Sequence, residues 1–354
     1  MKRTVLILSA VMAAASIFIS FQTSAQTAKP TPPPVPAASP TPKPTEEEII
    51  KIDTELVNLD VRVVDRNNRP VNTLAEKDFK IYEDGVVQQI DFFSKSEVPT
   101  NYGLVIDNSG SLRQQLDKVI EAGKVFVNSN RPDDETMIIR FVGRDKIEIE
   151  QPFTPNKIDL NDALDNLFIE GGQTAVRDAV YLAVENIDEY ERGKAFEDKK
   201  RRALILVTDG EDRNSYYNEK QLYELLRESE VQIYVIGFVD DLSKEGGFIS
   251  KSPQGKAKEF LEKLASETGG KAYFPKTAAE LPNLAREISS ELRTQYSIGY
   301  IPSNERKDGT YRSIKVAIAD GPNAQKRIAV TRAGRKADGG SSTGTTPSPT
   351  PKTQ

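Results

Sequence analysis

Asp107-Asn108-Ser109-Gly110-Ser111 sets one acid and two hydroxyls at alternate positions, directly after the apolar run 102–106. A turn with that alternation places three oxygen-bearing side chains on one rim, and Gly110 is expected to permit the bend. Oxygen donors suit a hard cation, and neutral hydroxyls satisfy its geometry without saturating its charge. Two other segments have similar chemistry: Thr208-Asp209-Gly210 after the run 203–207, and the loop Gly171-Gly172-Gln173-Thr174 before a helix starting near Ala175. Each alone has a plain structural reading. Ser109 or Ser111 would serve as a helix N-cap, and Thr208-Asp209-Gly210 as a turn. Two follow predicted strands and one opens a helix, and that order sets the three segments apart.

The 354 residues contain no His and no Cys. Thiol nucleophiles, imidazole bases and zinc or haem sites of the usual ligand types are thereby excluded. Any metal must be held by oxygen, so Mg²⁺, Mn²⁺ or Ca²⁺ is the expected cofactor. The net charge is −5, and no basic stripe runs through the middle of the chain, which argues against nucleic acid as a partner. The short cluster Lys199-Lys200-Arg201-Arg202 reads as a solvated strand entry.

The elements that must position these residues form an α/β pattern over residues 99–293. Strands are predicted at 102–106, 136–142, 146–150, 203–207, 232–237 and 271–274. Amphipathic helices lie between them; Leu112, Leu116, Val119, Ile120, Phe126 and Val127 line one face of the first. This pattern predicts a doubly wound, mostly parallel sheet with helices on both faces, whose sites lie at the carboxyl ends of strands. Residues 49–98 alternate as strands, with turns at Asn67-Asn68-Arg69-Pro70 and Glu83-Asp84-Gly85. Asp78 and Glu83 read there as ordinary turn and strand-edge carboxylates. Residues 294–334 alternate in the same way. Both segments are expected to pair into one small β-sandwich, with the α/β domain inserted between its halves.

At the amino end, Lys2 and Arg3, an uncharged run to Phe21 and Thr23-Ser24-Ala25 read as a signal peptide over residues 1–25. Cleavage there would leave a net charge of about −7. Kept uncleaved, the run would sit at the short limit for a membrane anchor. Residues 26–48 read as a Pro-rich linker and 335–354 as a disordered, low-complexity tail.

Together the three oxygen-rich segments resemble the metal-ion-dependent adhesion site of von Willebrand factor A (VWFA) and integrin I domains, over roughly residues 99–293. Leu112 stands where the family often has Met, and Gln173 varies the glycine loop. The Arg69-Pro70-Val71, Lys77-Asp78-Phe79 and Glu83-Asp84-Gly85 segments are similar to those of a bacterial exported VWFA-related group abundant in acidobacteria. The resemblance implies a Rossmann-like VWFA fold and a cation held by Asp107, Ser109, Ser111, Thr174 and Asp209, Asp209 often acting through water. It also implies that the cation takes a carboxylate from a protein ligand, in adhesion or in protein–protein contacts of the envelope. The exported location is periplasmic, cell-surface or secreted. Glu211 and Asp212 add negative charge at the rim and read as a solvated loop, less as a preference for Ca²⁺ or for a basic partner element.

An enzyme is not expected. A phosphotransferase using Asp107 would need a D-x-D pattern, which Asn108 and Ser109 break, and no other constellation of acid, base and nucleophile stands out. The alternative is an envelope structural or assembly protein whose metal site only stabilises it and whose β module does the binding.

Overall fold

The structure, a computed structural model, describes residues 56–337 apart from 96, 195–197, 246–250 and 323–324. The signal-peptide and linker assignments, and the tail beyond residue 337, lie outside the described residues.

The described residues open with four strands, β1 (Val57–Asp65), β2 (Phe79–Glu83), β3 (Val86–Gln88) and β4 (Phe92–Ser94). The α/β part follows, with strands β5 (Thr100–Asp107), β6 (Glu135–Phe141), β7 (Ile147–Thr154), β8 (Arg201–Thr208), β9 (Gln232–Gly237) and β10 (Ala272–Tyr273). Its helices are α1 (Leu116–Ser129), α2 (Lys157–Asp165), α3 (Val176–Glu191), α4 (Glu219–Glu228), α5 (Pro253–Glu267) and α6 (Leu281–Arg293). Four more strands close the chain: β11 (Tyr296–Tyr300), β12 (Tyr311–Ile318), β13 (Arg327–Val330) and β14 (Gly334–Lys336).

The central sheet runs β10-β9-β8-β5-β6-β7, parallel except for β7 at the edge. Every residue of β5 is buried. Strands covered on both faces read as continuous apolar runs, and here the two faces divide by alternation. Leu104, Ile106, Ile205 and Val207 pack with α1, α2 and α6. Val105, Leu204 and Leu206 pack with α3, α4 and α5. The fold is thus a doubly wound, mostly parallel Rossmann-like sheet, and strand order reverses between β5 and β8.

The remaining strands form two antiparallel four-stranded sheets, β13-β1-β11-β4 and β14-β12-β2-β3. Each combines strands from before and after the α/β part: β1 pairs with β11 and β13, and β2 with β12. Val57, Leu59, Val61, Tyr296 and Ile298 of one sheet and Phe79, Ile81 and Ile314 of the other share one apolar core. The Phe79 ring lies 4.9 Å from that of Tyr296 across it.

Several expectations change. The Asp107–Ser111 motif does not open a helix directly: it leads into a 3-10 turn, Gly110–Leu112, and α1 begins at Leu116 with Leu112 buried in the turn before it. Helix α2 has no counterpart in the sequence reading; its nine residues carry only Leu160, Ala163 and Leu164 as buried positions. Gly334–Lys336 pairs with β12, so the tail begins later than residue 335. Glu83 is not a strand-edge carboxylate. It is 2% exposed, and it accepts hydrogen bonds from the Tyr300 hydroxyl at 2.6 Å and from Arg335 Nε at 3.0 Å.

The basic cluster is also more than a solvated strand entry, because Arg201 is buried. Its guanidinium donates to Asp60 Oδ1 at 2.8 Å, to the Leu292 carbonyl and to Ser297 Oγ at 3.0 Å. One side chain thereby ties the start of β8 to β1, to the end of α6 and to β11. Among the described residues no helix is long and apolar enough to cross a membrane. Removing one partner of a buried charge pair leaves the other without compensation. Arg201→Ala is expected to lower the unfolding free energy by about 3 kcal/mol, read from urea denaturation.

Candidate functional site

The carboxyl ends of β5 and β8 meet at the strand-order reversal, the place where ligands bind in open α/β sheets. Asp107 is the last residue of β5, and its side chain is fully buried. Its Oδ1 accepts from the Ser109 amide at 2.9 Å and its Oδ2 from the Thr208 hydroxyl at 2.8 Å. Both carboxylate oxygens are therefore aimed by the chain itself, one from its own turn and one from the neighbouring strand. Burial raises the Asp107 carboxyl to about 6; the nearby Asp209 charge adds to the rise, and the bonds from Ser109 and Thr208 oppose it.

Ser109 Oγ and Ser111 Oγ share a hydrogen bond at 2.9 Å, with Ser109 buried and Ser111 exposed. Asp209, 3% exposed, follows β8 directly, and its Oδ1 accepts from the Glu211 amide at 2.9 Å. Thr174 is buried just ahead of α3. Its carbonyl accepts from the Arg213 and Asn214 amides at 2.8 and 3.1 Å, so the Thr174 loop is stitched to the loop after Asp209. Gly110 has no left-handed backbone, and a Cβ at that position would meet no atom within 4 Å, so the turn does not depend on glycine there.

Residues other than the five candidate oxygen donors do much of the positioning. Asn108 is fully buried; its Nδ2 donates to the Phe168 carbonyl at 2.7 Å and its own carbonyl accepts from the Glu170 amide at 2.8 Å. The loop leading to Thr174 is thus fixed to the turn that carries Asp107. Asp212 is not a solvated rim charge. It accepts from the Arg177 amide at 2.8 Å and pairs with the Arg177 guanidinium at 2.9 Å. Asp178 accepts from the Tyr216 and Tyr217 amides at 2.8 and 2.9 Å. Together these two acids fasten the loop after β8 to the start of α3. Asn108 and Thr208 lie inside segments that the sequence singles out, yet neither type announces a positioning role. That of Thr208 is visible only once β5 and β8 are neighbours.

The donor set fits a hard cation. It offers two carboxylates, three hydroxyls and no nitrogen or sulfur, and the buried Asp107 carboxylate is met by neutral donors alone. Among the described residues no group of three or more acids, His or Cys forms a conventional metal cluster. A cation held here would be anchored by few charges.

The profile of the von Willebrand factor type A domain matches residues 103–287, more than half of the chain. The chain belongs to the von Willebrand factor type A (VWA) domain family. An uncharacterized protein of Synechocystis is 29% identical over 194 residues, which is 54% of this chain and 41% of that protein. Inter alpha-trypsin inhibitor heavy chain 4 of Mus musculus is 26% identical over 232 residues, 62% of this chain and 23% of its own length. The chain thus spans less than half the length of these curated relatives. Among solved structures, proximal thread matrix protein 1 of the mussel byssus, described with a zinc-occupied MIDAS motif, aligns with a TM-score of 0.43 at 19% identity. That alignment covers 56% of this chain and 48% of that one. The matched span begins inside β5 and ends inside α6, so the VWA domain is the part that carries all five oxygen ligands of the candidate site.

A buried acceptor that loses its donor costs about 1–3 kcal/mol. Thr208→Val keeps the shape of the side chain and removes the hydroxyl on Asp107. The variant is expected to unfold at lower urea, with stability reduced by about 2 kcal/mol in the absence of divalent cations.

Proposed function

We propose that this chain is an exported VWA-domain protein that binds a divalent cation, Mg²⁺ in the first place, through Asp107, Ser109, Ser111, Thr174 and Asp209. Through that cation it would capture an Asp or Glu of a protein ligand. The observation that carries this reading is the buried Asp107 carboxylate at the end of β5, aimed by Ser109 and Thr208, with no Lys or Arg among its hydrogen-bond or ion-pair partners in the described residues. Such a group is costly to keep charged without a cation beside it. When bound, the cation supplies an electrophilic position at which a carboxylate from outside can replace water.

Binding without turnover is the reading the residue types favour. The chain has no His or Cys, and the carboxylates around the site are engaged in hydrogen bonds or ion pairs. Export rests on Lys2, Arg3, the uncharged run after them and the small residues Thr23-Ser24-Ala25.

Ligands that bind only the folded state raise its apparent stability in proportion to the logarithm of their concentration. Mg²⁺ or Mn²⁺ at about a hundred times its dissociation constant is expected to raise the melting temperature by roughly 5 °C. Asp107→Ala should melt at the same temperature with and without the cation. Equal melting of the wild-type protein in Mg²⁺, Mn²⁺ and EDTA would remove the proposal.

A further inference from the structure

Beside the candidate cation site lies a cavity of about 340 Å³, bounded by the loop after β8 and the first turns of α5. We propose that this cavity receives a large apolar or aromatic side chain adjacent, in the partner's sequence, to the carboxylate that meets the cation. The inference rests on the cation reading above and adds to it the chemistry of the partner segment.

Position is the first argument. Gly210 and Glu211 line the cavity and directly follow Asp209. Gly210 has a left-handed φ of +78°, and a Cβ there would lie 2.8 Å from Leu261 Cδ1 and 3.2 Å from the Ala257 Cβ. The loop is therefore pressed onto α5 by a residue that only glycine can supply, which holds the wall of the cavity in fixed register with a cation ligand. A partner residue seated in the cavity and an acid at the cation would then be close neighbours in one segment.

The second argument is chemical. Pro253, Ala257 and Phe260 give the cavity an apolar side. The charges around it are already matched: Arg177 pairs with Asp212 at 2.9 Å and Arg213 with Glu211 at 2.5 Å. Lys256 and Glu219 add one charge of each sign. The six charges sum to zero, so the cavity favours neither sign of side chain, and its apolar surface at Pro253 and Phe260 gains by being covered. At about 340 Å³ the space is at the small end of ligand pockets, fit for one or two side chains and not for a cofactor.

The test uses the full chain in Mg²⁺ and in EDTA, with short capped peptides followed by calorimetry. The peptides are acetyl-Gly-Asp-X-Gly-amide and acetyl-Gly-X-Asp-Gly-amide, with X as Phe, Ser or Lys. In Mg²⁺, the Phe peptide of at least one order is expected to bind about tenfold more tightly than its Ser and Lys counterparts. Phe260→Ala should bring that ratio close to one while leaving the affinity for the Ser peptide unchanged. Pro253→Ser, at the exposed start of α5, should reduce the ratio in smaller measure even if loss of the Phe260 ring weakens the core. Equal Mg²⁺-dependent affinity for all three residues, a preference for Lys, or a Phe preference untouched by both variants overturns the cavity proposal and leaves the cation reading standing. Binding that ignores EDTA, or no binding of any peptide, overturns the cation reading itself and the cavity proposal with it.

Discussion

A carboxylate with no exposure to water, placed at the end of a parallel strand, constrains everything near it. Asp107 is held by the Ser109 amide and the Thr208 hydroxyl, and each of these bonds presupposes a larger arrangement. The Thr208 bond exists only because β8 lies beside β5 in parallel register, with Ile106 opposite Val207. The Ser109 bond exists only because the chain turns immediately after the strand. Once that turn is fixed, the Asn108 side chain has no route to solvent and is bonded instead to the loop approaching Thr174. The local hydrogen bonds of one acid therefore order three separate loops.

The other end of β8 solves a similar problem with the opposite charge. Arg201 opens the strand and is buried against Asp60, Ser297 and the Leu292 carbonyl, groups that come from the sandwich and from the last turn of α6. The eight residues of β8 carry the chain from a cation that joins the sandwich to a hydroxyl that holds Asp107, a span of about 23 Å at strand rise. The sandwich is thus bonded to the amino ends of the strands. Its attachment leaves the carboxyl ends, where the five candidate oxygen donors lie, uncovered by the second module's anchoring residues.

The strands around the site are legible because they are apolar runs bounded by turn residues, and the candidate oxygen donors stand out because their types and order are unusual. Alternation also marked both flanking β segments. What sequence could not reveal were pairings made across long separations. Arg201 looks like one member of a basic cluster until Asp60, 141 positions away, is brought beside it. Glu83 looks like part of a turn until Tyr300 and Arg335 reach it from the far end of the chain. Asn108 sits in the motif's unassigned position, where nothing in its type announces that it will tether the Phe168 loop. Gly110 misled in the opposite sense: a glycine in a tight turn invites a conformational reading, whereas Gly210 is the one whose left-handed backbone and close approach to α5 demand it.

The same pairings bear on how many acids of the rim are free to meet a cation. Glu170 lies between Arg140 and Lys146, Glu211 is paired with Arg213, and Asp212 is committed to Arg177. The Lys146 and Arg140 bonds hold the Glu170 carboxyl below its ordinary range. Glu170, Glu211 and Asp212 are each engaged by a neighbouring Lys or Arg. The candidate oxygen donors then comprise two carboxylates, Asp107 and Asp209, with hydroxyls, so a cation held there would meet few protein charges. A cation held by so few charges would keep an open position, which is what the proposed capture of a partner's carboxylate would require.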